Sequence, residues 1–128
     1  MDTVHAFYDL YNRGDLDAAI ELFTPDARLE NRVLGQTYEG VAAIRGFWDE
    51  FAEIVEDAQA VPKALSTDGD LVLVDIELRG RMRHTGFTEE TMSAYEVVHG
   101  LRVENDKVAW WAICSTHAEV LRAAGRHE

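Results

Sequence analysis

Hydrophobic side chains recur at helical spacing through the first half of the chain, which predicts three amphipathic helices. The first apolar stripe occupies residues 4–11 and ends before Gly14, a suitable C-terminal cap. Asp15 can cap a second helix over residues 16–23. A third helix is predicted over residues 41–57.

The second half of the chain follows a period of two residues, which is typical of β-strands. The predicted β-elements are a short strand at 27–31, a strand from about 58, a hairpin turn at 67–70, and strands at 71–84, 91–104 and 107–116. A loop is predicted at 35–40, a tight turn at 105–106 and a closing helix at 117–124.

Alternation places the apolar side chains of the long strands on one face of the predicted sheet. These are Val72, Val74, Ile76, Leu78, Met82 and His84 in the first, Tyr95, Val97, His99, Leu101 and Val103 in the second, and Trp111, Ile113 and Ser115 in the last. A sheet with one apolar face has to be covered by helices. The predicted fold class is therefore α+β, with helices packed on one curved face of a mixed or antiparallel sheet.

Composition narrows the classes of partner. Acidic residues number 24 against 12 basic ones, and the formal net charge is −12. Such a surface repels phosphate backbones and anionic lipid headgroups, so neither nucleic-acid nor membrane binding is expected. Cys114 is the single cysteine, so no internal disulfide, metal site or cofactor is predicted. With no recognisable signal peptide or membrane span, residues 1–128 are interpreted as one cytoplasmic domain.

Seven stretches carry a resemblance to a known family. They are residues 7–16 (FYDLYNRGDL), 23–31 (FTPDARLEN), 38–40 (YEG), 44–48 (IRGFW), 83–86 (RHTG), 98–108 (VHGLRVENDKV) and 118–125 (AEVLRAAG). In this order they resemble the SnoaL-like branch of the nuclear transport factor two superfamily, to which ketosteroid isomerases also belong. The resemblance implies a cone-shaped sheet wrapped around a long helix and open at one end to a small-molecule pocket. It does not imply one reaction, because many chemistries occupy this scaffold.

His99 is the first candidate for chemistry, because the resemblance places it where ketosteroid isomerases and SnoaL cyclases carry a functional Asp. Strand parity points His99 inward among apolar side chains. A histidine there can titrate near neutral pH and act as a general acid or base. The alternative is a hydrogen-bonded wall histidine without chemistry. His84 is predicted to point inward and pair with His99, and a surface position is its alternative.

Five positions depart from the related enzymes. Asn31 occupies the place of the ketosteroid isomerase base, and an amide cannot take a proton; a structural hydrogen bond at a strand end is the alternative for this residue. Phe7 replaces the tyrosine of that enzyme's oxyanion hole. Limonene epoxide hydrolase has Asn at the position of Asn31, but its Arg and two Asp fall on the apolar residues Ile76, Leu78 and Ile113. Both activities are therefore disfavoured, whereas Tyr11 resembles a substrate-orienting Tyr of scytalone dehydratase.

The remaining predicted site residues form an apolar wall suited to a flat ligand. They are Phe7, Trp48, Phe51, Tyr95, Val97, Trp111 and Ile113. The leading hypothesis is isomerisation, cyclisation or dehydration of a small apolar cyclic or carbonyl compound. In it His99 carries the proton, while Asn31, Tyr11 and His84 orient the compound. A non-catalytic binding module and a dimerisation domain of the same fold are the alternatives.

The outer face of the sheet suggests an assembly. Trp110, Val98 and Cys114 are predicted to lie on this face, pointing away from the helices. A tryptophan exposed there requires cover, and a two-fold pairing of two chains would supply it. A homodimer through this face is therefore predicted.

Overall fold

The computed structural model describes residues 2–82 and 91–125, without the side chains of residues 2, 82 and 91–95. The helices are α1 (Asp2–Asn12), α2 (Leu16–Ile20), α3 (Val41–Ile54) and α4 (His117–Ala123). The strands are β1 (Phe23–Asn31), β2 (Gln36–Glu39), β3 (Val55–Asp68), β4 (Leu71–Met82), β5 (Thr91–Glu104) and β6 (Lys107–Cys114). Among the described residues no helix has the length and apolar character that crossing a membrane requires.

The six strands form one mixed sheet in the order β2-β1-β6-β5-β4-β3. β1 pairs with β6 in parallel, and the other neighbouring strands are antiparallel. The tight turn between β5 and β6 is confirmed, because Asn105 and Asp106 adopt positive φ angles of 52° and 65°. Since β6 lies between β1 and β5, it holds the ends of two sequence-distant strands side by side.

One face of the sheet carries α1, α2 and α3 and the main core, as the alternation predicts. Ile44 and Trp48 of α3 and Phe7 of α1 are almost fully buried there against Val74 and Leu101 of the sheet. The α+β class is therefore confirmed, and so is the inward parity of the long strands where their side chains are described.

Helix α1 is fixed to the sheet near both of its ends. The Thr3 hydroxyl donates to the carbonyl of Asp106 at 3.0 Å. At the other end, Asn12 Nδ2 donates to the carbonyl of Ala60 at 2.8 Å, and Asn12 Oδ1 accepts the N–H of Ala60 at 2.7 Å. These polar anchors set the height and rotation of α1 over the concave face.

The other face of the sheet is covered by α4, which corrects the prediction of an exposed Trp110. Trp110, Val98 and Cys114 are 7%, 7% and 0% exposed, in a second apolar cluster with Val120 of α4. The Trp110 Nε1 donates to Glu30 Oε2 at 2.9 Å. The patch that motivated a homodimer through this face is therefore closed within one chain.

Gly100 makes this covering possible. A Cβ at this position would lie 2.4 Å from Val120 Cγ1 and 3.3 Å from the Trp110 ring. Only a residue without a side chain lets α4 approach β5 this closely.

Several boundary predictions are wrong. The second helix ends at Ile20 and not at residue 23, because β1 begins at Phe23 and not at residue 27. Residues 36–39, predicted as part of a loop, form the edge strand β2, because their backbone pairs with β1 although their side chains are polar and mostly exposed. The third helix ends at Ile54 and not near residue 57, since β3 begins at Val55 and pairs with β4 from its first residue.

Candidate functional site

A cavity of about 290 Å³ opens between the helices and the concave face of the sheet. Its aromatic wall consists of Phe7, Tyr8, Tyr11, Phe47, Phe51 and Trp111. Its aliphatic wall consists of Val33, Leu34, Ile54, Val55, Ala60, Leu78, Val97 and Ile113. Asn31 and His99 complete the lining, and no charged side chain lines it within the part of the chain that the structure describes.

The mouth of the cavity is identified by its exposed apolar residues. Leu34 and Ile54 are 63% and 50% exposed, whereas His99 and Asn31 are only 2% and 4% exposed. His99 and Asn31 are therefore shielded from solvent, and Leu34 and Ile54 form an apolar collar at the entrance.

The central polar contact joins Tyr8 of α1 to His99 of β5. The Tyr8 hydroxyl lies 2.7 Å from Nδ1 of His99. The two rings are stacked with centroids 5.8 Å apart, and Trp111 meets the imidazole edge-on at 5.4 Å. The phenol and the indole hold the imidazole in one orientation.

Burial keeps both partners of this pair uncharged. It lowers the pKa of His99 from 6.5 to about 3 and raises the pKa of Tyr8 well above 10.0, because the apolar surroundings penalise each charged form. The expectation that His99 changes its charge near pH 6–7 is therefore corrected. The resting side chain is a neutral imidazole over the whole physiological range.

The tautomer of His99 follows from the hydrogen-bond inventory. Tyr8 has a single hydroxyl proton, and Nδ1 of His99 is its only acceptor among the described residues. If Nδ1 carried the ring proton, the hydroxyl proton would be left without an acceptor in a buried site. We therefore assign the hydroxyl as the donor to Nδ1 and place the ring proton on Nε2.

Asn31 ends β1 and closes the turn that follows. Its Oδ1 accepts the backbone N–H groups of Val33 and Leu34 at 3.1 and 3.0 Å. Asn31 therefore makes the structural hydrogen bonds of a strand end through Oδ1. Its Nδ2 has no partner within residues 2–82 and 91–125, and the residue lines the cavity.

Tyr11 lies one helical turn after Tyr8 and lines the same cavity. Burial raises the pKa of its hydroxyl to about 12, so it remains protonated. Its hydroxyl has no hydrogen-bond partner in the described part of the chain, and its ring packs edge-on against Trp48 at 5.6 Å.

The structure brings most of the predicted wall together. Phe7, Phe51, Val97, Trp111 and Ile113 line the cavity. Trp48 does not line it and is 1% exposed, because its ring is enclosed by other core aromatics. His84 and the side chain of Tyr95 lie outside the described residues.

The sequence analysis missed Tyr8 as a functional residue. Phe7 and Tyr8 are adjacent on the apolar stripe of α1, and an aromatic residue on such a stripe is typical of plain core. The available signal was the hydroxyl itself, since a buried tyrosine requires a polar partner. The collar residues of the mouth were also missed. Leu34 lies in a turn and Ile54 at the end of a helix, and neither position carries a pocket signature.

Comparisons with known proteins agree with this geometry. The profile of the SnoaL-like domain family matches residues 4–111. A solved protein from Sinorhizobium meliloti, named as a provisional polyketide cyclase, is 26% identical with a TM-score of 0.74, covering 88% of this chain and 94% of its own. An NTF2-like protein of unknown function from Burkholderia pseudomallei is 21% identical with a TM-score of 0.78, covering 95% and 94%.

A third solved structure contains a small ligand. It is a protein with a ketosteroid isomerase-like fold from Catenulispora acidiphila in complex with trimethylamine, 17% identical with a TM-score of 0.73, covering 98% of this chain and 93% of its own. The comparison with curated proteins gives no match.

Proposed function

Because the chain belongs to the SnoaL-like domain family, we propose that it binds a small neutral carbonyl compound and activates it by hydrogen bonding to the uncharged imidazole of His99. The observation that carries this proposal is the Tyr8–His99 pair at 2.7 Å on the wall of an otherwise apolar cavity. Such a wall excludes ionised compounds and retains apolar rings.

Donation from Nε2 to a carbonyl oxygen stabilises negative charge that develops there. A hydrogen bond gains strength when water is excluded and the donor is already oriented. Polarisation of the carbonyl acidifies the neighbouring C–H group. A water molecule that enters the cavity takes the proton from that carbon and returns it to another carbon or to the oxygen, so the isomerisation consumes no further reactant.

The proposed roles differ among the polar residues. His99 contacts the reacting carbonyl and is the catalytic residue. Tyr8 is a positioning residue, because its hydroxyl fixes the imidazole tautomer. Tyr11 presents a free hydroxyl to the same compound. Because both ring nitrogens of His99 are engaged, water has to serve as the base, which restricts the reaction to compounds whose C–H groups are already acidic.

A specific observation favours binding without turnover as the second candidate function. The low pKa of His99, about 3, and the uncharged lining leave no strong base on the described wall. A binding module requires only the cavity and its donors, and the trimethylamine complex of the Catenulispora protein supports a small-molecule occupant for a fold of this kind.

Exchange of the acidic protons of 2-tetralone in deuterium oxide, followed by NMR, tests catalysis. Catalytic amounts of the wild type should accelerate the exchange, and His99→Gln should lose that acceleration while Trp110→Phe, altered on the opposite face of the sheet, retains it. The infrared carbonyl band of bound, carbon-13-labelled 2-tetralone tests binding separately. A band displaced to lower frequency by His99 without accelerated exchange would establish the binding module and exclude the enzyme.

A further inference from the structure

Asn31 and His99 stand on one rung of the sheet with Ile113 between them. Asn31 pairs with Ile113 across β1 and β6, and His99 pairs with Ile113 across β5 and β6. Neighbouring strands lie about 4.8 Å apart, so the Asn31 and His99 backbones are about 10 Å apart. All three side chains line the cavity.

This spacing disfavours a single ligand atom as a bridge. Two donors can share one oxygen only if they approach within about 6 Å of each other, since each N···O distance is about 2.9 Å. Ile113 stands on the strand between Asn31 and His99, and its side chain lines the same cavity. Each polar residue therefore requires its own partner on the ligand.

The Asn31 amide has a fixed polarity. Its Oδ1 is turned toward the backbone N–H groups of Val33 and Leu34, which donate to it at 3.1 and 3.0 Å. Since those donors require an acceptor, the amide cannot flip without leaving both unsatisfied. Asn31 thus offers a ligand two N–H donors through Nδ2 and no acceptor.

The cavity limits the size of the ligand. A cavity of about 150 Å³ holds one benzene ring, so a volume of about 290 Å³ suits two fused six-membered rings. The exposed Leu34 and Ile54 at the mouth favour an apolar edge on the outward side. The oxygens of the ligand are thus directed inward, to the buried side chains of Asn31 and His99.

We infer that the ligand is a neutral compound of about two fused rings with two hydrogen-bond-accepting oxygens, one bound by His99 and the other by Asn31. The inference rests on the proposed function, because that function assigns the first oxygen to His99. Asn31 is accordingly the residue that distinguishes a dioxygenated ring system from its monooxygenated analogue. The far oxygen is a carbonyl or ether oxygen, since Asn31 presents only donors.

The test compares the affinities of 1-decalone with those of decalin-1,4-dione and decalin-1,5-dione, measured by calorimetry at neutral pH. One additional hydrogen bond is worth about a tenfold change in affinity, so at least one dione should bind wild type about tenfold more tightly than the monoketone. Asn31→Asp keeps the acceptor for Val33 and Leu34 but loses both donors. It should remove the advantage of the dione and leave the affinity for 1-decalone within about threefold.

Trp110→Phe is the matched control, because it alters a residue on the opposite face of the sheet while the cavity stays intact; it should keep the preference for the dione. Equal affinities for mono- and diketones in wild type, or a preference for the dione that survives in Asn31→Asp, would overturn the inference. In that case, binding of 1-decalone that depends on His99 would still support the proposed function. Binding of 1-decalone that His99→Gln does not weaken would overturn the proposed function and this inference together.

Discussion

The Tyr8 hydroxyl and the His99 Nδ1 lie 2.7 Å apart although 91 residues separate them along the chain. Both side chains are buried, so neither can exchange its partner for water without opening the core. The contact therefore serves the stability of the fold as well as the orientation of the imidazole, and these two contributions can be measured separately.

Replacement of Tyr8 by Phe should destabilise the protein and release the His99 tautomer. The variant leaves a buried acceptor without a partner, which costs about 1–3 kcal/mol of unfolding free energy. Urea unfolding measures the loss, and nitrogen-15 NMR of the imidazole reports the tautomer. Tyr11→Phe is the control, because its hydroxyl has no partner within the described residues, and its stability should change by less than about 0.5 kcal/mol. Equal losses in the two variants would contradict the role of the Tyr8 contact.

The depressed pKa of His99 predicts how stability depends on pH. Its pKa is 6.5 for an ordinary histidine and about 3 in the fold, so the unfolded chain takes up a proton first as the pH falls. The stability that the neutral imidazole preserves is complete above pH 6.5 and is lost progressively toward pH 3, at about 1.4 kcal/mol per pH unit.

His99→Gln should abolish this share of the pH dependence. Between pH 7 and pH 5 the wild type should lose about 2 kcal/mol more unfolding free energy than the variant, measured by urea denaturation at both values. His5→Gln, at an exposed position of α1, should follow the wild type. A wild type and a His99→Gln variant with parallel pH profiles would show that His99 is not buried in its neutral form.

Gly100→Ala should dislodge α4. The new methyl group would meet Val120 Cγ1 at 2.4 Å, and overpacking of this kind costs about 1–3 kcal/mol. Thermal unfolding measures the loss, and the double variant Gly100→Ala with Val120→Ala should recover part of it by making room. Gly46→Ala is the control: nothing lies within 4 Å of its Cβ position, and alanine should stabilise α3 by about 0.5–1 kcal/mol. A Gly100→Ala variant as stable as wild type would refute the close approach.

Trp110→Glu should act on the single chain and not on an interface between chains. It places a carboxylate in a buried cluster beside Glu30, which should cost about 3 kcal/mol or more, whereas Trp110→Phe loses only the bond to Glu30 and should cost about 1 kcal/mol. Unfolding curves recorded at several protein concentrations decide the point. A difference in unfolding free energy between wild type and Trp110→Glu that grows with protein concentration would show that Trp110 lies in an intersubunit contact.

Strand parity was the part of the sequence with the most structural information. Because alternate residues of a strand face opposite sides, the inward position of His99 followed from its neighbours Val97 and Leu101, and the structure agrees. The direction of α4 could not be predicted in this way. An apolar helix face indicates that the helix is buried, but it does not indicate which face of the sheet will bury it. The close packing of α4 depends on the absence of a side chain at Gly100.

The site was less predictable than the fold because its contacts are not periodic. The pairing of Tyr8 with His99 depends on how Thr3 and Asn12 anchor α1 over the sheet. Each of those bonds joins a side chain to a distant backbone group, and neither leaves a repeating trace in the sequence. The role of Asn31 as the cap of its own turn is local, and it was anticipated as the structural alternative.

The parallel pairing of β1 with β6 also governs when the cavity can come into existence. β1 is linked to β5 only through β6, so it cannot join the rest of the sheet before β6 has formed. Contacts between such distant segments slow folding, since a long loop has to close first. A nascent chain that has emerged only as far as β5 has not yet placed Asn31 on the same rung of the sheet as His99. A ligand consequently cannot act as a template for the early steps of folding, and it can only trap the finished molecule by mass action after the last strand has inserted.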